Sequence, residues 1–243
     1  EILRCLVGSE MCIRDSVCPR FSSGDGKGLI KSSIRGDDLF ILCDVGNYSC
    51  TYNYFGRENS MSPDDHYQDL KRIIQAAGGK AHRINIIMPS LYGGRQHRRN
   101  YRESLDCAVA LQELQSMGVS NILTFDAHDP RVQNAVPLMG LDNIIPSYQV
   151  LKAMFKNLSD FRPDKDHFMI ISPDEGAINR NMYYASVLGV NLGMFYKRRD
   201  YSTIIDGRNP IVAHEYMGND VAGKDVFIAD DIILSLIHIS EPT

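Results

Sequence analysis

Short apolar runs alternate along the chain with longer segments in which apolar residues recur every three or four positions. The runs are rich in β-branched and aromatic residues and predict buried strands, whereas the longer spacing predicts amphipathic helices. The predicted strands are Leu39–Cys43, Ile84–Met88, Ile122–Phe125, Phe168–Ile171, Asn191–Tyr196 and Val226–Ala229. This alternation predicts an α/β fold with a parallel, doubly wound sheet.

The helix with the strongest boundary signals begins after Ser62, where Pro63 and two acidic residues follow a good N-cap residue. Its apolar spacing ends at Gly78-Gly79, which predicts a helix stop. Further helices are predicted from about Glu103 to Met117, from Ser147 to Leu158, and through Tyr183 and Leu188. Two successive sets of strand–helix units result, split near Pro146, and they predict two tandem domains over 17–146 and 147–233.

Both ends of the chain differ in character from the part between them. Glu1–Ser16 and Leu234–Thr243 resemble translated sequencing-adapter sequence. Such segments are set aside before the fold is considered. We therefore expect the natural part to run from Val17 to Ile233, with both true ends missing.

Composition narrows the class of protein. The 243 residues are 44% hydrophobic and 23% charged, which is ordinary for a globular protein. A net charge of −4 argues against nucleic acid and against an anionic membrane surface as partners. No apolar run approaches the ~18 residues of a spanning helix, and no cleavable leader is recognisable. The six cysteines form no C-x-x-C pair, which favours a reduced, cytoplasmic chain.

Polar residues follow or end four of the predicted strands. A single strand end of this kind is more simply interpreted as a capped loop with a solvated pair of acids. Four such ends favour a site, because open α/β sheets bind ligands at the carboxyl ends of their strands. Carboxylates and an imidazole for a metal ion, flanked by cations, suit a polyphosphate with Mg²⁺. The four sets are Asp126 with His128, Asp174 with Glu175, Lys197 with Arg199, and Asp230 with Asp231.

A basic segment, Arg95–Arg102, contains four arginines in eight residues. Guanidinium groups bind phosphate oxygens in pairs, so this segment is a candidate phosphate contact. The alternatives are a solvated loop and a nucleic-acid patch, and the balanced charge of the chain argues against the second.

In their order and spacing, these motifs resemble the ribose-phosphate pyrophosphokinase family, also called phosphoribosyl pyrophosphate synthetases. The resemblance covers nearly all of Val17–Ile233 and implies two tandem phosphoribosyltransferase-like, parallel-sheet domains, the second incomplete. The segments that carry it are Phe21–Asp25, Ile34–Phe40, Arg95–Arg99, Arg102–Ser104, Asp126–His128, Ser172–Ala177, Lys197–Arg199 and Asp230-Asp231.

The resemblance implies a diphosphokinase that transfers the diphosphoryl group of ATP to ribose 5-phosphate, giving phosphoribosyl pyrophosphate and AMP. It implies Mg²⁺ as cofactor and a homo-oligomer. Phe21 and Asp25 would hold the adenine, from a neighbouring subunit, and Arg95 and Gln96 would contact ATP. His128 and Asp174 would bind Mg²⁺. Lys197 and Arg199, on a mobile flap, would stabilise the transition state, and Asp230 and Asp231 would hold the ribose hydroxyls.

The chain departs from the family pattern at several positions. His97 stands where an aspartate is expected, Ser23 where an acid is usual, and Ala177 where a glycine is usual. After Ile233 the loop expected to hold the 5-phosphate is absent, so we expect the chain as it stands to be inactive. One alternative is a non-catalytic regulatory homologue that oligomerises with an active synthetase. The other is a nucleobase phosphoribosyltransferase, which the Asp230-Asp231 start permits but the Arg95-Gln96 and Lys197–Arg199 segments argue against.

Overall fold

The computed structural model describes residues 4–7, 12–199 and 211–232, with backbone alone for 4–7, 12–15, 197–199 and 211–214. Contacts between Cα atoms divide the chain into two units, Glu1–Ile145 and Pro146–Thr243. We call them unit 1 and unit 2. The sequence pattern predicts a split near the same proline, and the domain extents 17–146 and 147–233 stay predictions.

Unit 1 is built on a seven-stranded sheet in the order β3-β2-β1-β4-β7-β8-β9. Strands β4, β7, β8 and β9 are parallel, whereas β1, β2 and β3 extend the sheet with antiparallel pairing. The strands are β1 Arg4–Val7, β2 Cys12–Val17, β3 Leu29–Ile30, β4 Asp38–Leu42, β7 Arg83–Met88, β8 Val119–Phe125 and β9 Gly140–Ile144.

Helices α1 (Pro63–Ala77) and α2 (Asp106–Ser116) contribute to the hydrophobic core of unit 1. Helix α1 begins with a capping box, in which Ser62 and Asp65 bond each other's backbone amides. Its Leu70 and Ile73 are fully buried in the same core as the strand residues. A 3₁₀ helix, Pro130–Ala135, follows β8.

A separate two-stranded hairpin lies between β4 and α1 in the sequence. Its strands, β5 (Thr51–Tyr54) and β6 (Arg57–Ser60), pair antiparallel and form a sheet of their own. The connection is two residues long, and both Phe55 (φ 48°) and Gly56 (φ 74°) have left-handed backbone angles. Positive φ at both turn positions characterises the type I′ turn of tight hairpins.

Unit 2 has a four-stranded sheet in the order β12-β11-β10-β13. The central strand β10 (Phe168–Ser172) is buried along its whole length and pairs in parallel with β11 (Asn191–Arg199) and β13 (Asp225–Ile228). Strand β12 (Ile211–Met217) pairs antiparallel with β11. Helices α3 (Ser147–Asn157) and α4 (Ile178–Leu188) pack Met154 and Tyr184 into the core beside β10.

The α/β class, the parallel core and every predicted strand and helix are confirmed, with boundary differences of a few residues. The prediction omitted the antiparallel strands, the β5–β6 hairpin and β9. It also ended β11 at Tyr196, whereas the strand continues to Arg199 because β12 pairs with the extension. Strand β1 and most of β2 fall in Glu1–Ser16, and the adapter interpretation of that segment stays a prediction. Among the residues described, no helix is long and apolar enough to cross a membrane.

Candidate functional site

In unit 1, the carboxyl end of β8 carries Asp126 and His128. Asp126 has a left-handed backbone (φ 46°), which is uncommon for a residue other than glycine and turns the chain sharply away from the sheet. The turn is held by the Asp126 amide on the Ile144 carbonyl (3.0 Å) and by the Ala127 amide on the Asn143 side chain (2.9 Å). His128 is exposed beyond this turn. A backbone bonded to β9 therefore presents the imidazole at the sheet edge.

Asp129 is the buried anchor beside His128, with 8% of its surface exposed. Arg131 binds it through three guanidinium contacts of 2.6–3.1 Å. This bonding lowers the pKa of Asp129 to about 2. The His97 Nε2 lies 3.4 Å from Asp129 Oδ2, and the His97 ring meets the His128 ring edge-on at 5.2 Å. The basic segment therefore reaches His128 through His97, the residue that departs from the family pattern.

The two predicted ATP contacts of the basic segment differ in what their side chains do. Arg95 is exposed, so its guanidinium is accessible to a phosphate. The Gln96 side chain donates to the carbonyl of Ser104 (2.8 Å) and thereby closes the Arg98–Ser104 loop. Its own carbonyl accepts from the Cys107 amide at the start of α2 (3.4 Å). Gln96 therefore fixes the segment that directly follows Arg95.

The Phe21–Asp25 segment is a closed turn. The Phe21 amide donates to the Asp25 carbonyl (2.8 Å), and the Gly24 amide donates to the Phe21 carbonyl (2.9 Å). The Ser23 hydroxyl donates to the Asp25 carboxylate (2.7 Å). The Phe21 side chain is 58% exposed. The turn therefore holds the predicted adenine contacts, an aromatic ring and a carboxylate, on one short loop.

In unit 2, Asp174 lies in the turn between β10 and α4. Its carboxylate accepts from the Ala177 amide (3.1 Å), and its carbonyl accepts from the Ser172 hydroxyl (2.8 Å). Behind this turn lies Asn181, which is fully buried. Its amide nitrogen contacts the carbonyls of Ala177 (2.9 Å) and Ala229 (2.8 Å), and its oxygen accepts from the Ala229 amide (3.3 Å). Asn181 thus joins the Asp174 turn to the chain that leaves β13.

Asp230 and Asp231 follow β13 at the same edge of the unit 2 sheet. The Arg180 guanidinium lies 3.5 Å from Asp230 and 3.9 Å from Asp231, and all three side chains are less than one-fifth exposed. Burial raises the pKa of Asp230 to about 6, and its neighbours Asp231 and Asp174 add to the rise. Three carboxylates and one guanidinium therefore share this edge.

The raised pKa of Asp230 makes the stability of unit 2 depend on pH. Folding favours the protonated carboxyl, so this contribution is complete below the ordinary value of 3.8 and is lost as pH rises through about 6. We expect Asp230→Asn to reduce the slope of the unfolding free energy against pH, by at most ~1.4 kcal/mol per pH unit. Urea unfolding at several pH values between 4 and 8 measures this slope. The exposed Asp225→Asn is the control, and an unchanged slope in Asp230→Asn would contradict the assignment.

Lys197 and Arg199 lie in strand β11. In the antiparallel pairing of β11 with β12, Lys197 is opposite His214. Their side chains lie outside the described part of the chain, so their roles stay predictions. The same holds for the predicted mobility of the segment that carries them.

The resemblance implies Mg²⁺, and the donor set of unit 2 fits it. No described group of three or more His, Cys, Asp or Glu residues is arranged to hold a metal ion. Mg²⁺ is usually bound by one or two carboxylates together with substrate phosphates and water, so a preformed cage is not required. The Asp174 carboxylate supplies oxygen ligands next to Asp230 and Asp231. A bound cation would offset the negative charge of this pair. His128 offers nitrogen, which Mg²⁺ takes less readily.

The sequence prediction missed two residues of this edge, Arg180 and Asn181. Both lie on α4, where polar residues are normally solvated, and nothing in the helical spacing separates them from such residues. The available signal was their position in the first turn of the helix that follows the Ser172–Gly176 loop. Residues there face the loop and the neighbouring strand end.

Comparison with known proteins gives one consistent result. A family model of the N-terminal domain of ribose phosphate pyrophosphokinase matches residues 5–118. The ribose-phosphate pyrophosphokinase of Bacillus caldolyticus is 27% identical over 216 residues, which are 88% of this chain and 60% of that protein. The protein of the same name from Chlorobaculum tepidum is 28% identical over 229 residues, 93% of this chain and 62% of that protein.

Among solved structures, the phosphoribosylpyrophosphate synthetase from Mycobacterium smegmatis superposes with a TM-score of 0.73 at 20% identity. The match covers 95% of this chain and 67% of that one. The fold is therefore that of a phosphoribosylpyrophosphate synthetase. This chain spans about 60% of the length of the curated relatives it matches. The predicted resemblance to ribose-phosphate pyrophosphokinases is confirmed.

Proposed function

We propose that this chain, which resembles the ribose-phosphate pyrophosphokinases, is the nucleotide- and ribose-binding part of such an enzyme. The anomeric hydroxyl oxygen of ribose 5-phosphate attacks the β-phosphorus of ATP. The bond from that phosphorus to the AMP oxygen breaks, and the hydroxyl proton is lost. The observation that carries the proposal is the grouping of Asp174, Asp230 and Asp231 at one edge of the unit 2 sheet.

The residues of this chain bind and orient the substrates and form no covalent bond with them. Asp230 and Asp231 accept hydrogen bonds from the ribose hydroxyls, and Arg180 keeps the two carboxylates in place. Arg95 neutralises phosphate charge, and Phe21 stacks on the adenine. In-line phosphoryl transfer requires little covalent work, so positioning and charge stabilisation account for most of the acceleration. Lys197 and Arg199 are assigned to the charge that develops on the transferred group.

Asp174 and His128 are the residues that would hold Mg²⁺. A bound Mg²⁺ would supply positive charge to offset the negative charge of the phosphate oxygens during transfer. We further propose a homo-oligomer, with ATP and ribose 5-phosphate as ligands. The free, buried thiols of Cys43 and Cys107 favour a reducing compartment, the cytoplasm.

The test is an assay of the full-length gene product with ATP and Mg²⁺. We expect AMP and phosphoribosyl pyrophosphate in equal amounts, formed only when ribose 5-phosphate is present. Ribose without the 5-phosphate is the control substrate. A folded protein that forms no AMP would rule out the enzyme.

A second candidate is a non-catalytic homologue that assembles with an active synthetase. His97 favours it, because this departure from the family pattern lies against His128, a proposed metal ligand. Co-purification with an active synthetase, without turnover by this protein alone, would identify that role.

A further inference from the structure

The β5–β6 hairpin presents one face of β5 to the loop that begins at Arg20. Tyr52 and Tyr54 alternate along the strand and therefore lie on the same face. The Arg20 guanidinium lies over the Tyr52 ring, 5.0 Å from its centroid. The Tyr54 ring lies against Gly24, within the Phe21–Asp25 turn. The two tyrosines thus contact the chain on both sides of Phe21.

The contact between Tyr54 and Gly24 leaves no space for a side chain at residue 24. A Cβ at residue 24 would lie 2.7 and 2.9 Å from Tyr54 Cδ2 and Cε2, and the backbone φ of +92° also favours glycine. The shape of the turn and the position of the ring therefore depend on each other.

The other contact is fixed to α1. Arg20 Nη2 binds the Asp69 carboxylate at 3.0 Å, and Arg72 Nη1 binds its second oxygen at 2.6 Å. Asp69 is 4% exposed, so its charge is matched by two cations away from water. The Arg20 guanidinium, which stacks on the Tyr52 ring, is thus held in place by Asp69 of helix α1. This ion network gives the hairpin a fixed base.

The hairpin turn carries a conformational cost that is not typical of a surface loop. Phe55 takes a positive φ at a turn position that usually holds Asn, Asp or Gly. It is 76% exposed, so burial in this chain does not offset the cost. The Phe55 ring packs edge-on against the Tyr54 ring, with ring centroids 4.6 Å apart at 67°. Phe55 therefore supports the outer side of the ring that contacts Gly24.

We propose that the β5–β6 hairpin is a clamp on the Phe21–Asp25 turn and that Tyr54 is a positioning residue for nucleobase recognition. The inference rests on the proposed function, in which Phe21 and Asp25 hold the adenine of ATP. Tyr54 fixes the turn, the turn fixes the Phe21 ring, and that ring, 58% exposed, stacks on the base. The phosphate contacts of Arg95 belong to another loop and do not depend on the clamp.

The experiment compares ATP with tripolyphosphate, which has the phosphates and no base, as Mg²⁺ complexes of this chain. We expect Tyr54→Ala to weaken ATP binding about tenfold, the scale of one lost base–aromatic stack, and to leave tripolyphosphate binding unchanged. Tyr54→Phe should keep both affinities, because the ring is retained. Tyr48→Ala removes an exposed tyrosine ahead of the hairpin and is the control. Heteronuclear NOE values of the Ser22–Asp25 amides report the order of the turn.

Selective loss of ATP affinity together with a disordered turn in Tyr54→Ala supports the clamp. Unchanged ATP affinity, or an equal loss for both ligands, overturns it, since an equal loss means general damage to unit 1. A wild-type chain that binds neither ligand contradicts the proposed function instead. The NOE comparison then decides the clamp alone: disorder in Tyr54→Ala supports it, and an unchanged turn refutes it.

Discussion

Asn181→Ala is expected to destabilise unit 2 by about 2–3 kcal/mol, a large fraction of the stability of a small domain. Asn181 is fully buried and bonds both backbone groups of Ala229 in addition to the Ala177 carbonyl. Alanine leaves these groups without partners and opens a cavity between α4 and β13. The substitution should lower the stability of unit 2 as a whole and also the local order near Ala229, because Asn181 holds the Asp174 turn and the Asp230 strand end together.

Urea unfolding measures the global effect, and amide hydrogen exchange at Ala229 measures the local one. Met182→Ala is the matched control, since Met182 is the next residue of α4 and is 53% exposed. Asn181→Asp keeps the size but sets carboxylate oxygens against two carbonyls, and adds charge beside three acids. We expect it to be at least as destabilising as alanine. If Asn181→Ala has the same urea midpoint of unfolding as the wild type, Asn181 does not hold the Asp174 turn and the Asp230 strand end together.

The parallel core was predictable because each of its strands contains a short apolar run. Buried parallel strands require that pattern, since both faces are covered. The edge strands do not carry it: β9 (Gly140–Ile144) alternates exposed and half-buried residues. The β5–β6 hairpin was missed for another reason. Its turn is Phe55-Gly56, which lacks the Asn-Gly or Asp-Gly signal of a two-residue hairpin.

The acids at the strand ends were predictable because topology alone brings the carboxyl ends of parallel strands to one edge. The residues that organise them were not, because their roles depend on contacts between distant segments. Asn181 meets Ala229, 48 positions away, and Tyr54 meets Gly24. The side-chain role of Gln96 was also hidden, since an amide that closes its own loop has the same sequence as one that faces a ligand.

Asp174→Asn in the full-length gene product is expected to lower the rate of AMP formation about 100-fold, the scale of one lost electrostatic contact at a reacting group. The substitution isolates charge from shape. Asparagine keeps an oxygen that accepts from the Ala177 amide, as Asp174 Oδ1 does at 3.1 Å, so the turn should persist. What is lost is the negative oxygen that Mg²⁺ prefers, and the Mg²⁺ concentration for half-maximal rate should rise.

Glu175→Gln is the matched control for Asp174→Asn. It removes one negative charge from the adjacent residue, whose side chain is exposed, and should leave the rate within about twofold because exposed charges are well screened. Initial rates at saturating ATP and ribose 5-phosphate, measured over a range of Mg²⁺, separate the two variants. Equal losses in both would mean that net charge near α4 matters rather than a metal contact. A wild-type rate in Asp174→Asn would remove Asp174 from the metal site and leave Asp230 and Asp231 as the candidate metal ligands of this edge.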